Sequence, residues 1–377
     1  MNIKCNSKAL MKALTLANNA IPTGAIVMPV LDHFLLEGND DGKLIVRATD
    51  LNHMIKVQTD IDVDAGMSVL LPSMITMNTI KDLPEQEIEI QFDDDNNIRI
   101  VSSYGEYSMK THGTEDFPSD FFNDLENPIL VAGDDFVYGL NSSMFAAAND
   151  EMKPQVSSIS VKVTTDAIEI VTTNTSQLYR YKILTNNSSE CSIMLPRKTV
   201  SLLKKLVTDG DTLTMYVKSG KACFLYKNIS FMCNLIGGSY LPYEKVFPTN
   251  NDKKIEVNLS EFQKSMKRLI SFGSNEHPMV LATYSNNEIR LVCANFEMAT
   301  QASETIKCVY EGEEITCKYN ARMLLETLMS FNSGVVHVLL ESVNRPSMLV
   351  PDHNSDGIEI TNLLMPYVDR RPVEVPA

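Results

Sequence analysis

Leu71-Pro72-Ser73-Met74-Ile75-Thr76-Met77-Asn78-Thr79-Ile80-Lys81-Asp82-Leu83, Leu195-Pro196-Arg197-Lys198-Thr199-Val200-Ser201-Leu202-Leu203-Lys204-Lys205-Leu206 and Tyr319-Asn320-Ala321-Arg322-Met323-Leu324-Leu325-Glu326-Thr327-Leu328 are one phrase written three times. Both spacings are 124 residues. A constant period of that length marks three copies of one domain rather than one large irregular core. Enzymes seldom need three near-equal copies, whereas a scaffold that surrounds something does.

A second helical signal precedes each phrase. It starts at Asn6, Ala132 and Asn258, spaced by 126 residues each time. Ser7, Asp134 and Ser260 read as N-caps. Apolar residues then recur at helical spacing: Leu10, Leu14 and Ala17; Phe136, Leu140 and Met144; Phe262, Met266, Leu269 and Ile270. Between the helices, Ile88–Phe92, Ile98–Val101, Ser158–Val163, Ile168–Val171, Glu288–Val292 and Val335–Leu340 alternate as strands do. A third marker, Ala48-Thr49-Asp50-Leu51, Thr172-Thr173-Asn174 and Cys293-Ala294-Asn295-Phe296, closes a strand in each copy. Polar, proline-containing stretches at 116–128 and 247–252 divide the copies. The reading is α+β, with domains 1–125, 126–252 and 253–377, each two helices on antiparallel sheet.

The chain has 377 residues, seven cysteines and a net charge of −15. The odd cysteine count and the lack of Cys-x-x-Cys spacing point to free thiols rather than disulfides or structural zinc. No apolar run reaches the roughly 20 residues of a membrane helix, and the N-terminus carries no apolar signal segment. The expectation is a cytoplasmic protein. The histidines form no metal-binding pair, and no nucleophile elbow or phosphate loop appears. Catalytic residues, metal and cofactors are therefore all expected to be absent, and an enzyme with a dispersed site is the weakest reading.

The net charge alone argues against nucleic acid, but its distribution reverses that argument. Six helical windows, 7–19, 73–82, 134–149, 197–208, 260–271 and 320–331, hold eleven basic and five acidic residues, a net of +6, which leaves −21 elsewhere. Lys8, Lys12, Lys81, Arg197, Lys198, Lys204, Lys205, Lys264, Lys267 and Arg268 are the candidate nucleic-acid contacts. Most lie off the apolar stripe of their helix. Any one such helix is more often simply solvated. The recurrence across copies favours a cationic lining inside an anionic exterior. No base-reading motif accompanies it, so contact with nucleic acid would be to the backbone.

Pro29-Val30-Leu31, Ala48-Thr49-Asp50-Leu51, Asp116-Phe117-Pro118, Leu195-Pro196-Arg197-Lys198, Ser274-Asn275-Glu276 and Leu363-Leu364-Met365-Pro366, in this order over the whole chain, resemble the bacterial DNA sliding clamp, the beta subunit of DNA polymerase III. The resemblance implies a head-to-tail homodimer closed as a ring around duplex DNA, tethering a polymerase. It implies a pocket for short linear motifs of the replicative polymerase, the clamp loader and repair proteins. By position this pocket uses Val156, Thr173, Thr175, Ser176, Leu178, Leu241, Pro242, Lys245 and Val246, with Pro278, Leu363, Leu364, Met365, Pro366 and Tyr367 opposite. It places Tyr107, Met109 and Phe272 at the dimer seam.

The chain also departs from the family pattern. Asn174-Thr175-Ser176-Gln177-Leu178 stands where the family often has Asp-Gly-x-Arg-Leu. Ala25 and Met74 stand where it often has DNA-binding arginines, which leaves a scaffold that binds only proteins as a second reading. The run from Asp369 to Ala377 extends past the family's usual end and reads as a disordered tail.

Overall fold

The computed structural model describes residues 2–24, 27–93, 95–150 and 152–367. Ala25 and the tail from Asp369 lie outside these residues. The helices are α1 (Ser7–Ala17), α2 (Ser73–Lys81), α3 (Gly133–Ser143), the short α4 (Pro154–Ser157), α5 (Arg197–Leu206), α6 (Leu259–Leu269) and α7 (Ala321–Met329). Each predicted window holds a helix. All six end before their windows do, and after three of them 3-10 turns at Asn18–Ala20, Met144–Ala146 and Ile270–Phe272 carry the chain on.

The expected N-caps are displaced. Asn6 caps α1, accepting from the N–H groups of Lys8 and Ala9, and Asn258 caps α6 through Glu261 N–H. Ser7 is instead the first helical residue. Its hydroxyl donates to the Pro84 carbonyl and accepts from Gln86 N–H. Ser260 and Asp134 sit inside their first turns. An asparagine amide one or two residues upstream reaches the same orphan N–H groups, and that is what the pattern missed.

The chain divides into two compact units, Met1–Val137 with Lys198–Leu235, and Tyr138–Arg197 with Ile236–Ala377. In the first unit an eight-stranded antiparallel sheet runs Ser68–Pro72, His33–Gly38, Lys43–Thr49, His53–Asp62, Ile229–Asn234, Lys221–Tyr226, Thr212–Lys218, Ile129–Ala132. Its central pairing joins the first repeat to the second, His53 opposite Cys233 and Val57 opposite Ile229. A four-stranded sheet runs Asn2–Asn6, Glu87–Phe92, Asn97–Ser102, Gly105–Lys110, and ends on Gly105–Lys110 as an edge strand. Helix α1 lays Leu10, Ala13, Leu14 and Ala17 across strands Lys43–Thr49 and His53–Asp62, beside α2. Arg47, 6 % exposed, bonds Glu37 at 2.8 Å and lies 3.7 Å from Asp120, under the Phe117 ring. It thereby straps the end of the first repeat onto the sheet.

The second unit carries a twelve-stranded sheet in the order Cys191–Leu195, Ile159–Val163, Ala167–Thr173, Gln177–Leu184, Ile358–Leu364, Ser347–Pro351, Val335–Leu340, Lys253–Asn258, Thr300–Val309, Glu288–Asn295, Met279–Ser285, Ile315–Asn320. Here Gln177–Leu184 pairs with Ile358–Leu364, Gln177 opposite Leu364. The same strand-to-strand joint thus recurs between the second and third repeats. The third repeat's core gathers Phe262, Met266 and Leu269 of α6, Leu324 and Leu328 of α7, and sheet residues such as Tyr284, Leu291 and Tyr319. A second strap crosses this sheet. Arg180 lies 4.4 Å from the Phe247 ring centre, Tyr243 donates to Glu169 at 2.8 Å, and Lys162 pairs with Glu244 at 2.9 Å.

Candidate nucleic-acid and peptide interfaces

The third sequence marker turns out to be one Asx turn built three times. Asp50 accepts from the N–H groups of Asn52 and His53, Asn174 from those of Ser176 and Gln177, and Asn295 from those of Glu297 and Met298. A side-chain oxygen that takes two following amides ends the strand and reverses the chain. The first two turns also need a left-handed residue at the next position, and the residues there are Leu51 (φ 72°) and Thr175 (φ 76°). A β-branched residue in that region is strained by roughly 1–2 kcal/mol, which glycine avoids. Thr175→Gly is expected to raise the stability of the chain by about 1 kcal/mol after glycine's own entropic cost, read as a higher denaturant midpoint with an unchanged slope.

The first repeat brings Lys8, Lys12 and Lys81 to one groove of about 970 Å3 between α1 and α2, floored by Met11, Leu16, Ile80 and Leu83. Lys8 lies 3.5 Å from Glu85. Lys12, Lys81, Lys264 and Lys267 are exposed and have no ion-pair partner among the described residues. Met74, on α2, is 71 % exposed. On α5, Lys204 and Lys205 are exposed, and Lys205 reaches the Asn19 amide oxygen at 3.2 Å. Arg197 differs from these. It is half-buried and donates to the Ala147 and Ala148 carbonyls at 3.2 and 3.3 Å. Arg268 is engaged by Glu304 through two nitrogens.

Lys198 meets Asp50 at 2.6 Å. His53 Nδ1 stands 3.1 Å from the same carboxylate, and His53 Nε2 lies 3.2 Å from the Thr199 hydroxyl. Burial alone would raise the Asp50 carboxyl. Hydrogen bonds from His53 and Lys198 overcome that and hold it well below the ordinary carboxylate range.

The fifteen peptide-pocket positions do not fall alike. Leu178 and Leu363 face each other in a buried cluster with Val171 and Tyr243, flanked by Tyr240, Phe247 and Met348. Thr173, also buried, donates its hydroxyl to the Gln177 carbonyl. Thr175 and Ser176 form the exposed turn, and the Ser176 carbonyl accepts from Met365 N–H at 2.8 Å. Leu241, Pro242, Lys245 and Val246 are exposed on the strap that carries Tyr243. Tyr367 is 61 % exposed, and its N–H reaches the Lys318 carbonyl. Pro278 is buried, with its carbonyl on Ala321 N–H at the start of α7. Pro366 is buried, and Val156 is buried on α4. Leu364 packs into the third repeat's core instead, because neighbouring residues of a strand face opposite sides. Sequence reading missed Tyr240, Tyr243, Phe247 and Met348. The density of aromatics between 240 and 247 was the available signal.

Tyr107 and Met109 are half-buried on one face of the edge strand, opposite Ile100 and Ile98. Phe272 is 42 % exposed, and its carbonyl accepts from the Thr300 hydroxyl. Among the described residues no helix is long and apolar enough to cross a membrane.

Three family models match in succession. The DNA polymerase III beta subunit N-terminal domain covers residues 1–120, the central domain 131–242 and the C-terminal domain 244–367. A beta sliding clamp of Streptococcus pneumoniae is 22 % identical over 374 residues, covering 96 % of this chain and 98 % of that protein. The structure of DNA polymerase III subunit beta from Pseudomonas aeruginosa superposes with a TM-score of 0.88 at 20 % identity, over 98 % of this chain and all of the other. A Pseudomonas aeruginosa sliding clamp bound to griselimycin gives 0.89 at 19 % identity, over 98 % and 99 %.

Proposed function

We propose, for a chain that belongs to the DNA polymerase III beta subunit family, that it is the processivity clamp of a replicative polymerase. It acts as a non-catalytic homodimer that encircles duplex DNA, slides without reading sequence and tethers replication and repair proteins. The observation that carries this reading is the succession of three clamp domains along a chain whose helices keep most of their cations exposed. The repeats are taken as 1–125, 126–252 and 253–377, and the site of action as the cytoplasm.

The first internal joint supplies a rule for the seam. After the Asx turn, the first residue opposite the marker is His53 in the first repeat, Gln177 in the second and Thr300 in the third. His53 pairs with Cys233 and Gln177 with Leu364. Met109 corresponds to Cys233, since each lies four residues past the start of its strand, Gly105 or Ile229. A third joint of the same kind therefore sets Thr300 opposite Met109 of a second copy, and Ala302 opposite its Tyr107. The small residue meets the large one. Thr300–Val309 pairs with Lys253–Asn258 only through Cys308 and Val309, so its start is open on that side, and two copies that each pair this flank with the other's Gly105–Lys110 close a two-fold assembly.

DNA contact rests on Lys8, Lys12 and Lys81 around the α1/α2 groove, on Lys198, Lys204 and Lys205 of α5, and on Lys264, Lys267 and Arg268 of α6. Arg197 takes a supporting role through the Ala147 and Ala148 carbonyls. Scattered lysines touching phosphates without base contacts leave no step at which the protein would be trapped. The Leu178–Leu363 cluster and its exposed rim suit an extended peptide with apolar anchors. Such motifs would come from the polymerase, the clamp loader and repair proteins.

The test is retention. Loaded by a clamp loader, the protein is expected to stay on closed circular duplex and to run off the same DNA once it is linearised. Equal loss from both would sink the ring and favour a scaffold that binds only proteins.

A further inference from the structure

The three Asx turns share one side-chain pattern and differ in charge. Asn174 and Asn295 each satisfy two following amides with a neutral oxygen. Asp50 does the same for Asn52 and His53, at 3.0 and 2.6 Å. The turn itself therefore does not require a carboxylate. What the charge adds at position 50 is a bond to His53 and an ion pair with Lys198. The Asp50 side chain is 9 % exposed and that of Lys198 is 52 % exposed. The acid is thus fixed in the joint while the ammonium reaches solvent.

The next joint lacks the pair. Arg322 stands 124 residues after Lys198, Asn174 takes the place of Asp50, and Arg322 turns to the Asn275 carbonyl at 3.4 Å. At the first joint the imidazole is stacked flat against Phe231 and held by Thr199, so Asp50 keeps three donors if Lys198 leaves. A phosphate could take Lys198 without stranding a buried charge.

We infer that Asp50 is an electrostatic brake on DNA contact at this joint: its carboxylate competes with DNA phosphate for Lys198 and weakens one backbone contact per chain. The inference rests on the DNA-encircling reading above. Weak contact at a joint between repeats favours sliding over fixed binding.

Asp50→Asn copies the residue that the other two turns already use. Affinity for a short blunt duplex would be followed by fluorescence anisotropy from about 50 to about 200 mM salt. The slope of log affinity against log salt is expected to steepen by roughly 0.9 for each Lys198 that gains a phosphate. Asp50→Asn combined with Lys198→Met is expected to return to the wild-type slope or below it. Asp40→Asn, at an exposed carboxyl elsewhere, controls for net charge.

An unchanged or shallower slope in Asp50→Asn, with normal binding by the wild type, overturns the brake alone. A wild type with no salt-dependent binding overturns the DNA reading and the brake with it. A second measurement uses the protein by itself. Acylation by an N-hydroxysuccinimide acetate, read by mass spectrometry, is expected to be several-fold faster at Lys198 in Asp50→Asn, and unchanged at Lys12. Equal rates at Lys198 overturn the pair.

Discussion

Tyr107→Asp together with Met109→Asp is expected to halve the mass in solution, from about twice 42.1 kDa to that of one chain. Both side chains lie on the same face of the edge strand Gly105–Lys110, and both stay half-buried. The joint rule places them against Ala302 and Thr300 of a second copy. Each unpaired carboxylate trapped in such a seam costs roughly 3 kcal/mol or more. A two-fold ring has two such seams and so four such carboxylates, about 12 kcal/mol in all, which weakens the dimer by more than about 10^8-fold. Light scattering across micromolar concentrations reads the change, and circular dichroism checks that each chain still folds. A variant that remains at the double mass would exclude this strand as the seam.

The second large effect concerns the peptide interface. Val246 and Met365 are 43 % and 39 % exposed, so charges there leave the core intact. They lie beside the Tyr243–Leu363 cluster on two different segments. Val246→Asp with Met365→Asp is expected to weaken binding of a short linear-motif peptide from the replicative polymerase about a hundredfold, from roughly 1.5 kcal/mol for each apolar contact replaced by a charge. Calorimetric titration measures it. Undiminished heat and affinity would place ligand binding elsewhere.

Much of this architecture was legible because repetition amplifies weak signals. One Asx marker is an ordinary turn, but three at matching places imply three strand ends, and Thr49, Thr173 and Asn295 do end strands. The helices could be found from Leu10 and Leu14 or Phe262 and Met266, because burial of one stripe leaves a 3.6-residue period. Caps were missed by a residue or two, since Asn6 and Asn258 act through side-chain geometry that no period records.

The sites were less legible for a different reason. Charge counting could find Lys198 but not Asp50, which lies 148 positions away in the chain and 2.6 Å away in space. Nor could it tell Arg197, engaged on the Ala147 and Ala148 carbonyls, from the outward lysines of the same helix. The alternation along Ile358–Leu364 was visible, yet only the pairing with Gln177–Leu184 decides that Leu363 faces the cluster and Leu364 the core.

The bare flank of Gly105–Lys110 also bears on what becomes of a chain before it finds its mate. Unpaired amides and carbonyls along a strand invite any passing ladder, and newly made protein would be at risk of sticking to the wrong neighbour. Here Glu106, Ser108 and Lys110 are exposed and alternate with Tyr107 and Met109, a polar row on one face of that edge strand. Such side chains discourage indiscriminate stacking and tolerate one well-matched companion. A solitary copy should thus stay dispersed long enough to be matched, and specificity in assembly would begin with what the strand repels.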